Sequence, residues 1–401
     1  MRILIQLGHP AHFQLYKNTA RQLIANGHQV YFLIKTKDIL EDLLKKAGLP
    51  YYNILQVAHR KSKWGVILDM LIRDWKILVF SIRNKIDLLT GTSPEVAHIG
   101  WLLRKKAIVT TEDDDCAVPN FGKVIASFVR CVLTPAVCNM GNLEPVCSHY
   151  PSYHELAYLH PNHFTPSREV VEGYGMPLKV RGDKLEVSGV QNPFAPYFIL
   201  RFASLNAHHD SGIKGINTEI AQRLVDILKP HGRIYITSER PLEPQFEEYR
   251  IKINPLDMHH VMAFASLYIG DSQTMAAEAG VLGVPFVRFN DFVGRIGYLR
   301  ELEDVYELGY GIHATPLASD CPIRRADGSA QPSGVEELYK RVEQLVAMPS
   351  DERRATFQQR REKMLSDKID CAKFLTWFIE NYPQSADQTR KADAEFWDKF
   401  K

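Results

Sequence analysis

Little in this sequence commits it electrostatically. Lys and Arg number 49 against 47 Asp and Glu, a formal charge of +2, which excludes the strongly basic footprint of a nucleic-acid-binding protein. The strongest charge run, Glu112-Asp113-Asp114-Asp115, is acidic and too short to act as a tail. The six cysteines (Cys116, Cys131, Cys138, Cys147, Cys321 and Cys371) form no C-x-x-C pair and no zinc-ligand spacing. In a chain of 401 residues they read most simply as free thiols of a reducing compartment, so a cytoplasmic location is expected. No run is long and apolar enough to cross a membrane: "WKILVFSIRNKIDLL" is interrupted by Arg83, Lys85 and Asp87. Peripheral contact with a membrane surface is left open. The apolar start, "MRILIQL", runs into Gly8-His9-Pro10 and reads as a first strand, not a secretion signal.

What is present is alternation of strands and helices. Ile3, Leu4, Ile5 and Leu7 form the continuous apolar run of a strand buried on both faces. Phe13, Tyr16, Ala20, Leu23 and Ile24 then recur at helical spacing up to Gly27, and "VYFLI" (30–34) is the next strand. Strand, helix and strand within about 34 residues make a crossover unit with parallel strands. Further strands are predicted at 51–55, 86–91, 106–111 and 130–135, with helices over 38–47 and 64–84. Residues 141–195, rich in Pro, Gly, Tyr and His, read as loops and short helices ending in a connection near 185–195. A second alternating run follows, with strands at 197–202, 233–238, 250–254, 266–271 and 285–289, then C-terminal helices over 335–349 and 351–380 and a polar, fraying last 15 residues. Two doubly wound, Rossmann-like α/β domains facing across a cleft are therefore expected, with ligands at the carboxyl ends of the strands.

"GDSQTMAAEAGVLGVPFVRF" (270–289) is a strand end, a helix of small residues, a glycine stop and another strand. Asp271 or Ser272 suits the helix cap. The helix start, with Gln273 and Thr274, suits a phosphate. Ala276, Ala277, Ala279 and Gly280 leave room for a close approach. Glu278 stands at the edge of the face made by Met275, Ala279 and Leu282, about 60° from Met275 at 100° per residue. A ribose with two adjacent hydroxyls would suit its two oxygens; pairing with an Arg or solvent is the plainer alternative.

Two stretches carry a family resemblance. "GHPAHFQLYKNTARQLIANGHQV" resembles the opening of GT-B glycosyltransferases, including the peptidoglycan N-acetylglucosaminyltransferase. "GDSQTMAAEAGVLGVPFVRF" resembles the donor-site segment of those enzymes and of the non-hydrolysing UDP-N-acetylglucosamine 2-epimerases. With "RFASLNAHHDSG" and "YHELAYLHP", the chain looks like a member of a prokaryotic family, domain of unknown function 354, over residues 1–350. The resemblance implies an N-terminal acceptor-side domain over 1–190, a C-terminal nucleotide-sugar-binding domain over 191–365, and a helix and tail over 366–401 crossing back to the first. Carried over by residue, it places Ser272, Gln273 and Thr274 at the donor phosphates, Glu278 at the ribose, and Arg201 and Ser204, followed by His208 and His209, near the loop that reaches the pyrophosphate; Asp271 and, in the first loop, Gly8 are also expected among the nucleotide-sugar-binding residues. It implies a UDP-linked sugar as substrate, with no separate cofactor and no bound metal, and a glycan or lipid-linked acceptor.

Sugar transfer needs a base for the acceptor hydroxyl and positive charge for the leaving diphosphate. His9 and His12 lie in the first strand-to-helix loop; His12, 15 residues before Gly27, matches the base histidine of the resembled family better. Asp113 or another of residues 112–115 is a second acid–base candidate, at least two of the four being expected in solvent. Glu155, with Tyr153, His154 and Tyr158, lies in an aromatic polar stretch suited to sugar stacking or to packing. His259 and His260, and Asn290, Asp291 and Arg295, are looser candidates. The activity expected is transfer of a sugar to a cell-envelope or polysaccharide acceptor. The alternatives are a 2-epimerase-like enzyme, which would carry Asp in a "GDT" loop where this chain has Gly91-Thr92-Ser93, and a non-catalytic sugar-nucleotide binder. The chain also departs from the transferases, because "RFASLN" lacks their Gly-rich donor loop.

Overall fold

The structure, a computed structural model, describes residues 1–35, 39–55, 63–181, 184–185, 192–203, 214–318 and 321–401. They divide into one unit of Met1–His163 with Lys368–Lys401 and another of Phe164–Asp367.

The first unit begins β1 (Arg2–Leu7), α1 (Pro10–Ala25), β2 (Gln29–Lys35), α2 (Leu40–Lys46), β3 (Tyr51–Leu55), α3 (Lys63–Arg83), β4 (Leu88–Gly91), α4 (Pro94–Leu103), β5 (Lys106–Thr110), α5 (Pro119–Ile125), β6 (Val132–Pro135), β7 (Cys147–Tyr150) and α6 (Leu156–Leu159). Its seven strands are all parallel, in the order β3-β2-β1-β4-β5-β6-β7. Ile3, Leu4, Ile5 and Leu7 of β1 are fully buried, as a strand covered on both faces requires.

The second unit holds α7 (Arg168–Gly173), the two-residue pair β8 (Val180–Arg181) and β9 (Lys184–Leu185), β10 (Tyr197–Phe202), α8 (Thr218–Leu228), β11 (Arg233–Ser238), α9 (Met258–Ala263), β12 (Leu267–Gly270), α10 (Gln273–Val281), β13 (Phe286–Phe289), α11 (Gly297–Arg300), β14 (Gly309–Ile312), α12 (Val335–Ala347) and α13 (Ser350–Asp367). Its five-stranded parallel sheet runs β11-β10-β12-β13-β14. The chain then rejoins the first unit as α14 (Cys371–Glu380), α15 (Gln384–Arg390) and α16 (Ala394–Asp398). There α14 packs on α1, and the Thr376 hydroxyl donates to Gln22 Oε1 at 2.7 Å.

Strand order reverses between β1 and β4 in one sheet and between β10 and β12 in the other, the points where open α/β sheets leave a crevice. Both pairs end alike. Gln6 of β1 lies opposite Gly91 of β4, and Arg201 of β10 opposite Gly270 of β12. Gly91 has φ 149°, and a Cβ there would collide with the Gln6 carbonyl. A Cβ on Gly270 would stand 2.6 Å from the Tyr268 hydroxyl and 2.9 Å from the Arg201 carbonyl. Glycine therefore lets each strand pair close tightly just before the residues that leave it, Thr92 in one unit and Asp271 in the other.

The structure corrects several expectations. The unit boundary falls at 163/164, not near 190. The stretch from 141 is no single connection: it supplies β7 to the first sheet and α7 to the second unit. There the Tyr174 hydroxyl donates to Asp257 Oδ2 at 2.8 Å and accepts from Asn254 N at 3.0 Å. Residues 250–254 are not a strand; a single bridge, Ile236 to Arg250, is all that forms. The fifth strand is β14, whose "GYGI" carries too little apolar periodicity to announce itself. The last residues do not fray: Phe400 is buried against Phe374 and Trp377, with ring centroids 5.2 Å from each. Among the described residues no helix is long and apolar enough to cross a membrane.

Candidate functional site

In the first unit the β1/β4 crevice is occupied by His12. Pro10 starts α1, and His9 caps it, its Nδ1 accepting from Ala11 N at 3.2 Å. That cap sets the first helical turn and carries His12 back over the strand end. His12 Nδ1 accepts from Gly8 N at 3.1 Å, and the Thr92 hydroxyl lies 2.6 Å from Nδ1 and 3.0 Å from Nε2. The rings of His9 and His12 stand 5.9 Å apart. Gly8, His9 and His12 are thus brought together, but with separate tasks: Gly8 orients the ring of His12, and His9 is a helix cap. Beneath them the Tyr16 hydroxyl is bonded to Thr90 and Thr110 at 2.9 and 2.8 Å, and burial pushes it up to about 12, so it remains a neutral strut.

The acidic loop after β5 is not a solvated one. Asp114 is buried and accepts from Asn139 N at 2.9 Å; Glu112, Asp113 and Asp115 are half-buried. Glu112 Oε2 lies 3.1 Å from Nδ1 of His154. Burial pushes His154 down to about 4, although Glu155 and Asp113 pull the other way. Asp113 and Glu155 are therefore gathered around one neutral imidazole. The stretch considered for sugar stacking is internal: Tyr153, His154, Glu155 and Tyr158 are all buried, and Lys368 sits 4.7 Å above the Tyr153 ring. Packing, the plainer reading, is what the structure shows there.

In the second unit the β10/β12 crevice is organised by Asp271. Its Oδ1 accepts from Ala203 N at 2.6 Å and its Oδ2 from Ile216 N at 3.3 Å, while Asn290 Nδ2 donates to its carbonyl at 2.9 Å. Asp271 thus clips together the two ends of the chain between 203 and 216. Asp291 does likewise, accepting from Lys214 N at 2.9 Å and Thr315 N at 2.8 Å. The two carboxylates diverge: burial raises Asp271 to about 6 against its two amides, whereas at Asp291 burial is outweighed by the amides and the acid is held low. Ser204, His208 and His209 lie outside the described residues.

The sign of the Asp271 shift gives a test. The folded chain keeps this proton up to about pH 6, whereas the ordinary value is 3.8. The folded state binds more protons in that window, so the stability tied to this group is present at low pH and falls as pH rises through it. Denaturant melts at pH 4 and pH 7 should show wild type losing about 2 kcal/mol relative to Asp271→Asn over this interval; parallel profiles would contradict the shift.

Ser272 caps α10, accepting from Met275 N at 3.5 Å, and Ser272, Gln273 and Thr274 are half-buried at the helix start. The small residues behind them serve the fold: a Cβ on Gly280 would stand 2.8 Å from Phe286 of β13. Glu278 is buried and pairs with His259 of α9, Oε1 to Nε2 at 2.9 Å. The partner predicted for it by the plainer reading was an Arg or water; it is a histidine. Arg201 pairs with Glu239 at the end of β11, Nη2 to Oε1 at 2.5 Å. Glu239 and His313, whose Nδ1 lies 3.4 Å from Asp291 Oδ1, were not singled out from sequence, and Thr92 was named only as a departure from the epimerases' "GDT" loop, not as a partner of His12. Only a register linking β1 to β4 would have exposed Thr92. One described trio, Glu144, Cys147 and His149, brings three ligand-type atoms within 4.8 Å, but His149 Nε2 is already bonded to Glu144 Oε2 at 2.8 Å.

No family model and no curated protein matches the chain, so membership in domain of unknown function 354 gains no support. Solved structures do match. A spinosyn forosaminyltransferase is 14% identical with a TM-score of 0.58, covering 95% of this chain and 98% of that one. A Streptomyces glycosyltransferase complexed with thymidine diphosphate is 12% identical with a TM-score of 0.53, covering 95% and 99%. The UDP-N-acetylglucosamine 2-epimerase of Neisseria meningitidis, bound to UDP-N-acetylglucosamine, is 10% identical with a TM-score of 0.54, covering 91% and 100%. At these identities the likeness is one of architecture: two parallel-sheet α/β domains of seven and five strands, the fold of GT-B glycosyltransferases and of these epimerases.

Proposed function

We propose that the protein is a GT-B-type glycosyltransferase that moves a sugar from a nucleotide-sugar donor, UDP-linked, to a cell-envelope or polysaccharide acceptor. The observation that carries this reading is His12 at the β1/β4 switch point with a hydroxyl, that of Thr92, 2.6 Å from its Nδ1. The acceptor hydroxyl would take the position Thr92 now holds, and Nδ1, giving up the Gly8 amide it now accepts from, would remove its proton as the acceptor oxygen attacks the sugar carbon. The donor diphosphate would be held in the second unit by the amides at the start of α10, where Ser272, Gln273 and Thr274 supply hydroxyl and amide donors and the helix end supplies partial positive charge. Glu278 would hold the ribose with the help of His259. This scheme calls on no cofactor or metal. Arg201 enters it only by releasing Glu239.

The second reading, a 2-epimerase-like enzyme, is favoured by the likeness to the Neisseria structure and weakened by Thr92 in place of a carboxylate. A titration-calorimetry screen with UDP, GDP and CMP sugars, followed by incubation of the bound donor with and without acceptor extract, separates them. Acceptor-dependent product is expected. Isomerised donor formed without acceptor would establish the epimerase instead, and failure to bind any donor would remove both.

A further inference from the structure

Helix α3 is apolar on the wrong side. Its packing face carries Asp69, Arg73, Ile77 and Ser81: Ile77 and Ser81 are buried, and Arg73 pairs with the buried Glu95 of α4. On the outer side Ile67, Leu68, Leu71, Trp75 and Ile82 are all exposed, Trp75 to 66%. At 100° per residue these five fall within about 100° of arc, a single stripe. A further exposed apolar pair lies on the neighbouring helix α4. Asp74 Oδ2 lies 3.0 Å from His98 Nδ1 of α4, and one turn further on Trp101 and Leu102 are exposed as well.

Within this stretch of the chain the exposed charges have almost all one sign. Among residues 63–106 whose exposure is described, every exposed residue is a large apolar one or a Lys or Arg, with the sole exception of Asp87. The cations are Lys76, Arg83, Lys85, Arg104, Lys105 and Lys106; Asp87 accepts from Arg2 N at 2.8 Å. The remaining carboxylates of this stretch, Asp69, Asp74 and Glu95, are buried or half-buried. An apolar patch with two tryptophans and a cationic fringe matches the interface of a bilayer carrying anionic headgroups. A symmetric contact with a second copy would set the same cationic fringe against itself.

We propose that the outer face of α3 and α4 docks the protein on an anionic lipid surface. This goes beyond the sugar-transfer reading and does not rest on it, because the binding is measured without nucleotide. The test is co-sedimentation of the full chain with vesicles of phosphatidylglycerol and phosphatidylethanolamine, beside vesicles of phosphatidylcholine alone. Wild type should bind the anionic vesicles preferentially and be released by salt. Leu71→Ser with Trp75→Ser should weaken binding at least about tenfold, and Lys105→Glu with Lys106→Glu should remove the anionic preference. All four positions are exposed, so circular dichroism and melting midpoints should match wild type and separate lost docking from lost fold. Equal binding to both vesicle types, no binding, or binding indifferent to these substitutions would overturn the proposal. So would a concentration-dependent dimer, abolished by the Leu71 and Trp75 changes, in a chain that ignores vesicles; that result would assign the face to a second copy.

Discussion

Substituting His12 by alanine should lower turnover about a thousandfold while leaving the donor dissociation constant within about twofold of wild type; general-base catalysis contributes in that range, ~4 kcal/mol in the barrier. The separation follows from where the groups reside. His12 sits at the end of β1 in the first unit, whereas the proposed donor contacts, Ser272 to Thr274 and Glu278, belong to α10 of the second. His12 also has a local task, since its Nδ1 accepts the Gly8 amide. His12→Asn, which keeps a side-chain acceptor for that amide but no base, distinguishes the roles: if it recovers turnover, the ring acts only through the loop. His9→Ala is the companion measurement. His9 caps α1 through Ala11 N, so its loss should cost about 1 kcal/mol of stability and little turnover. A donor affinity that collapses with His12→Ala would reassign the residue to binding.

The sequence announced the strands whose residues are apolar on both faces. Ile3 to Leu7, Tyr197 to Phe202 and Phe286 to Phe289 are apolar apart from Gln6, Arg201 and Arg288 because parallel strands are covered twice. It was silent on β7 and β14, "CSHY" and "GYGI", which have few branched apolar residues and pair through the backbone at the sheet ends. "RIKIN" alternates as a strand should, yet it makes only one bridge to β11, Ile236 to Arg250, with Ile251 N donating to the Ile236 carbonyl; periodicity reports compatibility with a strand and not the presence of a neighbour to pair with.

The strand-end positions of the candidate residues were legible where a chemical type and a strand end coincide, as at His12, Asp271 and Ser272. It was illegible where a partner arrives from a distant segment. Thr92 meets His12 across 80 positions, Asp271 closes on amides 55 and 68 positions away, and His259 reaches Glu278 from another helix. Small residues misled for a related reason. Room beside Ala276 and Gly280 looked like space for a ligand, but at Gly280 the neighbour is the chain itself, Phe286. The exposed stripe of α3 was hidden because an apolar helical stripe reads from sequence as the buried face, whereas here the packing side carries Asp69, Arg73 and Ser81.

Glu278→Ala should weaken nucleotide binding more than tenfold, about 1.4 kcal/mol, and also lower stability by about 1–3 kcal/mol. The two effects have different origins. Glu278 is buried with His259 at 2.9 Å, so alanine takes this partner from a buried imidazole whatever the site binds. The ribose contact, by contrast, needs the second carboxylate oxygen as an acceptor for a hydroxyl. Glu278→Gln resolves them. The amide keeps the volume and one oxygen that His259 Nε2–H can reach, so the melting midpoint should stay near wild type. Its nitrogen cannot accept from a ribose hydroxyl, so affinity for the UDP moiety should still fall. Calorimetry with UDP and thermal melts of both variants read the two quantities separately. If Glu278→Gln binds UDP as tightly as wild type while Glu278→Ala melts early, the carboxylate serves the α9–α10 contact alone. The ribose would then have to be held by groups elsewhere at the β10/β12 crevice.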